Sequence, residues 1–176
     1  MDFISGIPRT SQGHDMIWVI VDRFSKQSHF IACHKTLKSM EAARLFIQHI
    51  FRLHGMPQEI ISDRDTKFTS NFWCALFENL GTTLKFSSSF HPQTDGQTEV
   101  MNLTLLDMLK AYVSEQKTQW EKYLPLLEFA YNNTVHSSTG KAPNEIMQGR
   151  INLPPIIRTK DRIFAADQFS VDLKSP

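Results

Sequence analysis

The sequence is short of cysteine, has no long apolar run and carries almost no net charge, and each shortage removes a class of protein. Cys33 and Cys74 are the only cysteines among 176 residues. Two cannot build a disulfide framework, and without a CxxC pair they assemble no zinc module. They read as free thiols in a reducing compartment. No apolar stretch approaches the roughly 18 to 20 residues of a membrane span, and the opening Met1-Asp-Phe-Ile-Ser-Gly-Ile-Pro8 lacks the basic and long apolar regions of a signal peptide. A soluble, intracellular protein with no membrane partner is expected. Neither Pro (8) nor Gly (7) is enriched and no like-charge run or low-complexity tract occurs, so most of the chain should fold. A formal charge of +1 does not announce a nucleic-acid binder; any contact with a polyanion has to come from local basic clusters.

What is present is enough apolar residue, 41%, for one substantial core. Asp2 to Ile4 reads as a strand, and the chain starts abruptly there. Met16-Ile-Trp-Val-Ile-Val21 has the length and unbroken apolarity of a strand buried on both faces, and His29 to Cys33 follows after a short polar turn, giving an antiparallel meander. From Ser39 the period changes. Ala42, Leu45, Phe46, Ile50 and Leu53 fall mostly three and four apart, with Ser39 as N-cap and Gly55 as stop. Glu59 to Ser62 predicts a strand that delivers Asp63, Ser70 to Leu80 a helix closed by Gly81, and Thr82 to Phe86 another strand. Ser87 to Gly96 predicts an exposed loop, and a helix begins near Gln97 with Met101, Leu105, Met108, Leu109 and Tyr112 on its apolar face. Further helices are expected at Gln119 to Asn133, where Pro125 is tolerable if it opens a new helix, and at Pro143 to Gln148. The pattern fades from Ile151, so residues 1–150 are read as the domain and 151–176 as a tail or linker. Strands first, then alternating helix and strand, then helices, is an α/β layer fold with helices flanking a mixed sheet.

Four acids stand at element ends or in short strands: Asp2, Asp22, Asp63 and Glu99, with 35 residues between the last two. Asp63 and Glu99 need a third partner, and either Asp2 or Asp22 could supply it, because paired strands carry both. If three carboxylates converge to about 4 Å, each pair repels by roughly 4 kcal/mol at an effective dielectric near 20. Three pairs rival the ~5 to 15 kcal/mol that holds a domain together. Such a cluster binds cations or protonates. Carboxylate oxygens suit Mg²⁺ or Mn²⁺, and two such ions about 3.5 to 4 Å apart hold the attacking and leaving oxygens of a displacement at phosphorus. The competing reading is structural: an Asp after a strand often caps a turn, and a Glu in a first helical turn favours the helix dipole.

Several strings carry a resemblance: Met1-Asp-Phe-Ile4, Val19-Ile-Val-Asp-Arg-Phe-Ser-Lys26, Ile61-Ser-Asp-Arg-Asp-Thr-Lys-Phe68, His91-Pro-Gln-Thr-Asp-Gly-Gln-Thr-Glu99, Phe129-Ala-Tyr-Asn-Asn133 and Ser137-Ser-Thr-Gly140. Together they resemble the integrase catalytic core of gypsy-type long-terminal-repeat retrotransposons and, more distantly, retroviral integrases. The resemblance implies a ribonuclease-H-like fold and an Asp, Asp, Glu triad on Asp2, Asp63 and Glu99. Asp22 belongs to the second strand's motif instead. It also implies two Mg²⁺ or Mn²⁺ ions, trimming of element ends by an activated water, attack of each freed 3′-hydroxyl on target DNA, a homo-oligomer and action in the nucleus. Arg23, Lys26, Arg64, Lys67, His91, Gln93 and Asn102 are the residues expected to hold DNA. Val100, Leu103 and Leu106 depart from the polar or basic residues that relatives often place after the Glu, which keeps a second reading alive: a domesticated or decayed domain that binds nucleic acid without catalysis. A ribonuclease H acting on RNA:DNA hybrids fits the fold but not the string ending in Glu99. No zinc segment precedes the core and no chromatin-binding module follows it, so a fragment of a polyprotein is expected.

The remaining candidates read as structural. His29, Cys33 and His34 lie on or beside a strand whose alternate residues face opposite ways. His49 and His54 are five apart on a helix, a poor ligand spacing. Phe72, Trp73 and Phe77 are assigned to the core.

Overall fold

The computed structural model describes residues 1–86, 96–112, 118–150 and 152, with the backbone alone at 79, 96–99 and 112. The chain divides into two compact units, Met1–Val21 with Ser28–Glu128, and Asp22–Gln27 with Phe129–Pro176.

In the first unit, β1 (Asp2–Ile4), β2 (Met16–Val21) and β3 (Ser28–Cys33) form the expected antiparallel meander, with Asp2 opposite Val19 and Met16 opposite Cys33. β4 (Glu59–Ser62) and β5 (Thr83–Phe86) form a parallel pair. The Met1 ammonium donates to the Ile61 carbonyl at 2.7 Å, so the start of β1 runs beside β4 and the antiparallel and parallel parts meet there. Met16, Ile17, Trp18 and Val19 are all buried, as an unbroken apolar strand requires. Trp18 faces a cluster that includes Phe46, Phe68, Trp73 and Phe77, while on the strand's other side α5 (Gly96–Tyr112) packs through residues such as Met101 and Leu105.

The helix from Ser39 is less regular than its sequence suggests. It runs as α1 (Ser39–Phe46), a π-helical turn (Ile47–Phe51) and α2 (Arg52–His54), ending at Gly55 in a positive-φ conformation. A π turn carries extra residue per turn, so the apolar stripe loses register after it. Ala42, Phe46 and Ile50 are buried as expected, whereas Leu53 is exposed. Ser39 is the first helical residue, not the cap; Lys38 occupies the cap position without a side-chain bond. Two shorter helices are capped conventionally. Asp65 accepts from the Lys67 amide at the start of α3 (Thr66–Thr69), and Ser70 from the Trp73 amide at the start of α4 (Asn71–Asn79). Trp73 and Phe77 are core residues, but Phe72 is on the surface. A 3₁₀ turn (Trp120–Lys122) precedes α6 (Leu124–Asn132), whose first turn holds Pro125 without cost to a helical hydrogen bond.

Cys33 lies in the core, and burial pushes its thiol up to about 12, while Cys74 is half-buried. Since the thiolate is the nucleophile, iodoacetamide at pH 8 should label Cys74 in the native chain and leave Cys33 intact until denaturant is added, as read by peptide mass. Equal labelling rates in the native protein would contradict this packing.

The second unit contains the turn between β2 and β3, where Asp22 accepts from the Ser25 amide at 2.9 Å and from the Ser25 hydroxyl. Ser25 is buried, and Lys26 takes a left-handed conformation (φ 65°) that closes the turn. Asn133, from the Phe129–Asn133 string, accepts from the Asn144 side chain and the Asn152 amide, each at 3.1 Å, and so secures α7 (Pro143–Gln148). Apart from Asn152, the expected tail lies outside the described residues. Residues 87–95, where an exposed loop is expected, lie outside them too.

Candidate functional site

The first unit brings together the three elements that carry Asp2, Asp63 and Glu99. Asp2 is half-buried on β1. Its Oδ1 accepts from the Phe3 amide at 2.7 Å and its Oδ2 from the Asn102 side-chain amide at 2.6 Å. Asn102 is on α5, three residues beyond Glu99, and residues three apart share a helix face. The bond therefore fastens α5 to β1 one turn from Glu99, whose side chain lies outside the described residues. Asp63 is half-buried immediately after β4, and its Oδ1 accepts from the Asp65 amide at 3.2 Å. Because Met1 bonds to Ile61, Asp2 and Asp63 follow that shared hydrogen bond by one and two residues. Among the described residues no group of three His, Cys, Asp or Glu side chains is gathered to hold a metal.

Asn102 was expected among the DNA contacts; its amide is placed on Asp2. Its Oδ1 is buried and has no partner among the described residues. Leaving such an acceptor unpaired costs about 1 to 3 kcal/mol, and beside a carboxylate it suits a metal-bound water, which offers hydrogens. That acceptor and the oxygen-only donor set of Asp2, Asp63 and Glu99 fit a hard divalent ion.

The basic residues diverge. Arg64 is exposed next to Asp63. Lys67 is largely buried: its ammonium donates to both Asp65 oxygens at 3.1 Å and stands 5.0 Å from the centre of the Phe3 ring. Phe3 in turn stacks on Phe68 at 4.9 Å. Lys67 thus braces the segment after Asp63 against the strand that bears Asp2. Arg23 and Lys26 belong to the second unit, where the Lys26 ammonium bonds back to the Arg23 carbonyl at 2.6 Å. Asp22, the alternative first acid, serves its turn as a cap. His91 and Gln93 lie outside the described residues.

Sequence spacing missed two polar clusters in the first unit. One joins His29, His54 and Glu128. In the other, Glu121 accepts from His14 at 2.6 Å and from the Thr10 hydroxyl at 2.7 Å. Burial alone would raise the Glu121 carboxyl, but the hydrogen bonds from His14 and Thr10 outweigh it and hold the group below the usual carboxylate range. A depressed folded-state pKa contributes stability above the unfolded value, and that stability is lost as pH falls through the folded value. From about pH 4.5 downward, therefore, the urea midpoint of Glu121→Gln should fall less steeply than that of the parent. Parallel slopes would refute the assignment.

No protein-family model matches the chain. Two Transposon Tf2 polyproteins of Schizosaccharomyces pombe (strain 972), Tf2-3 and Tf2-4, are each 39% identical to it over 147 residues, 84% of this chain. The chain spans 11% of the length of these polyproteins. Among solved structures, the HTLV-2 integrase catalytic core domain in complex with magnesium superposes with a TM-score of 0.62 at 18% identity, covering 81% of this chain and 99% of that one. The catalytic core domain of BIV integrase gives 0.63 at 22% identity, covering 84% and 93%. The simian T-cell lymphotropic virus intasome gives 0.70 at 19% identity, covering 93% and 59%. The fold is that of the integrase catalytic cores, ribonuclease-H-like, as expected from the sequence. By homology the chain belongs with the retrotransposon polyproteins, as the counterpart of one stretch of them.

Proposed function

We propose that this chain is the catalytic core of a retrotransposon integrase, a metal-dependent polynucleotidyl transferase that trims element ends and joins them to target DNA. The observation that carries the proposal is the hydrogen bond from Asn102 to Asp2, which ties α5 to β1 beside β4. Asp2, Asp63 and Glu99 would hold two Mg²⁺ or Mn²⁺ ions. When bound, such ions polarise phosphoryl oxygens and lower the pKa of a bound water or hydroxyl.

The protein's own task is alignment. Asn102 keeps one Asp2 oxygen in place as a positioning residue, and the Phe3 amide fixes the other. In end processing, a water oxygen bonds to phosphorus and the bond to the departing 3′-oxygen breaks. In strand transfer the freed 3′-hydroxyl attacks a target phosphodiester, one phosphorus–oxygen bond forms as another breaks, and a target 3′-hydroxyl leaves. Bond number is conserved, so no energy source is required, and holding nucleophile, phosphorus and leaving group in line supplies much of the acceleration. Arg64 is the basic side chain best exposed to meet a phosphate beside Asp63. DNA is the partner, a homo-oligomer the working form, and the nucleus the place of action; of these, only the oligomer draws support from the solved neighbours, whose forms are trimeric, dimeric and an intasome.

A second reading, a domain that binds DNA without cutting it, draws on α5. Val100 and Leu103 are 62% and 65% exposed there, and apolar side chains so near Glu99 would hold a DNA end poorly for cutting while leaving contacts elsewhere on the domain intact. The test is incubation of the purified chain with element-end DNA and Mn²⁺, with DNA binding measured alongside. Metal-dependent cutting or joining sinks the binder. Binding with no cutting beyond that of Asp63→Asn sinks the integrase.

A further inference from the structure

Away from the carboxylates, the first unit holds an imidazole pair that the integrase reading does not use. His29 on β3 and His54 at the end of α2 bring their Nε2 atoms to 2.8 Å, with ring centroids 5.0 Å apart. On the far side of His29, Nδ1 meets Glu128 Oε1 at 2.9 Å, and the other Glu128 oxygen accepts from the Phe30 amide at 2.8 Å. As a carboxylate Glu128 can only accept, so Nδ1 of His29 donates to it; in the neutral tautomer that this bond selects, Nε2 presents a lone pair toward His54.

We propose that His29 and His54 form a binding site for a transition-metal dication of the zinc class, oriented by Glu128. Imidazole nitrogen suits Zn²⁺, Ni²⁺ and Cu²⁺, whereas carboxylate oxygen suits Mg²⁺ and Mn²⁺, so the pair and the Asp and Glu site select different ions. A carboxylate behind a ligating imidazole fixes the ring and raises its basicity, which is the part Glu128 plays here. Zinc at about 2.0 to 2.1 Å from each nitrogen, in tetrahedral geometry, sets the nitrogens roughly 3.3 Å apart. The pair has to open by about half an ångström. His54 can supply that movement, being exposed at a helix end and followed by Gly55. Burial foremost holds His49, on the same helix, below the usual imidazole range, so it stays uncharged and does not repel the cation. Among the described residues no group of three His, Cys, Asp or Glu forms a closed centre. Water or an outside donor therefore completes the coordination, and the affinity is below that of a four-ligand structural site.

The test is a zinc titration of the EDTA-treated, dialysed chain followed by thermal unfolding. At a hundredfold excess over Kd the melting temperature should rise by roughly 5 to 10 °C, and MgCl₂ should not reproduce the rise. His54→Ala alters an exposed side chain, so it should melt near the parent without zinc and lose most of the zinc response. Asp63→Asn should keep that response, which separates this site from the carboxylates. With Cu²⁺ as probe, the electron paramagnetic resonance spectrum should show coupling to two nitrogens. A zinc response unchanged by His54→Ala, or no response together with a copper spectrum lacking nitrogen coupling, overturns the proposal.

Discussion

Asp63→Asn should lower metal-dependent cutting of element-end DNA by at least roughly a thousandfold while leaving the metal-free fold as stable as the parent. A ligand to a catalytic ion contributes several kcal/mol to the transition state, and about 4 kcal/mol corresponds to three decades in rate. The amide retains the Oδ1 acceptor that takes the Asp65 N–H at 3.2 Å, so that hydrogen bond survives the substitution. What disappears is negative charge. If Asp2 and Glu99 share the site, each carboxylate about 4 Å away repels Asp63 by roughly 4 kcal/mol at an effective dielectric near 20 when no cation is present. In EDTA, the melting temperature of the variant should match or exceed the parent's. Activity equal to the parent's would remove Asp63 from the chemistry, and a fall of several degrees in melting temperature would show that the acids do not cluster.

The largest effect on folding is expected at Trp73. This side chain is fully buried and its ring lies 4.4 Å from Phe77, 5.4 Å from Phe68, 5.9 Å from Trp18 and 6.1 Å from Phe46, centre to centre. Truncation opens a cavity among rings that cannot collapse into it, so Trp73→Ala should cost about 3 to 5 kcal/mol. Trp73→Phe should be far milder. The indole N–H of Trp73 is buried without a partner among the described residues, and removing an unsatisfied donor offsets part of the lost packing. Urea unfolding of the two variants against the parent reads the difference directly. Equal losses for Ala and Phe would mean that ring packing at this point contributes little.

The strands were legible because their signal is local. Met16 to Val21 is apolar at every position, and a strand covered on both faces by Phe46 and Trp73 on one side and by α5 on the other needs nothing else. The long helix was legible as a helix but not in its phase. The π turn at Ile47–Phe51 slips the stripe, and no composition rule marks where that happens. The family strings located Asp2, Asp63 and Glu99 in the chain. They did not reveal that Asn102 is the clasp, because its bond reaches across 100 residues and depends on how α5 lies against β1. His29 and His54 were set aside for a similar reason. Each was weighed against neighbours on its own element, whereas the partner of each stands on the other.

The amide clasp turns a helix and a strand into one mechanical part. Any displacement of α5 along β1 would stretch or break the 2.6 Å bond that orients Asp2, so helix and carboxylate keep their places together or lose them together.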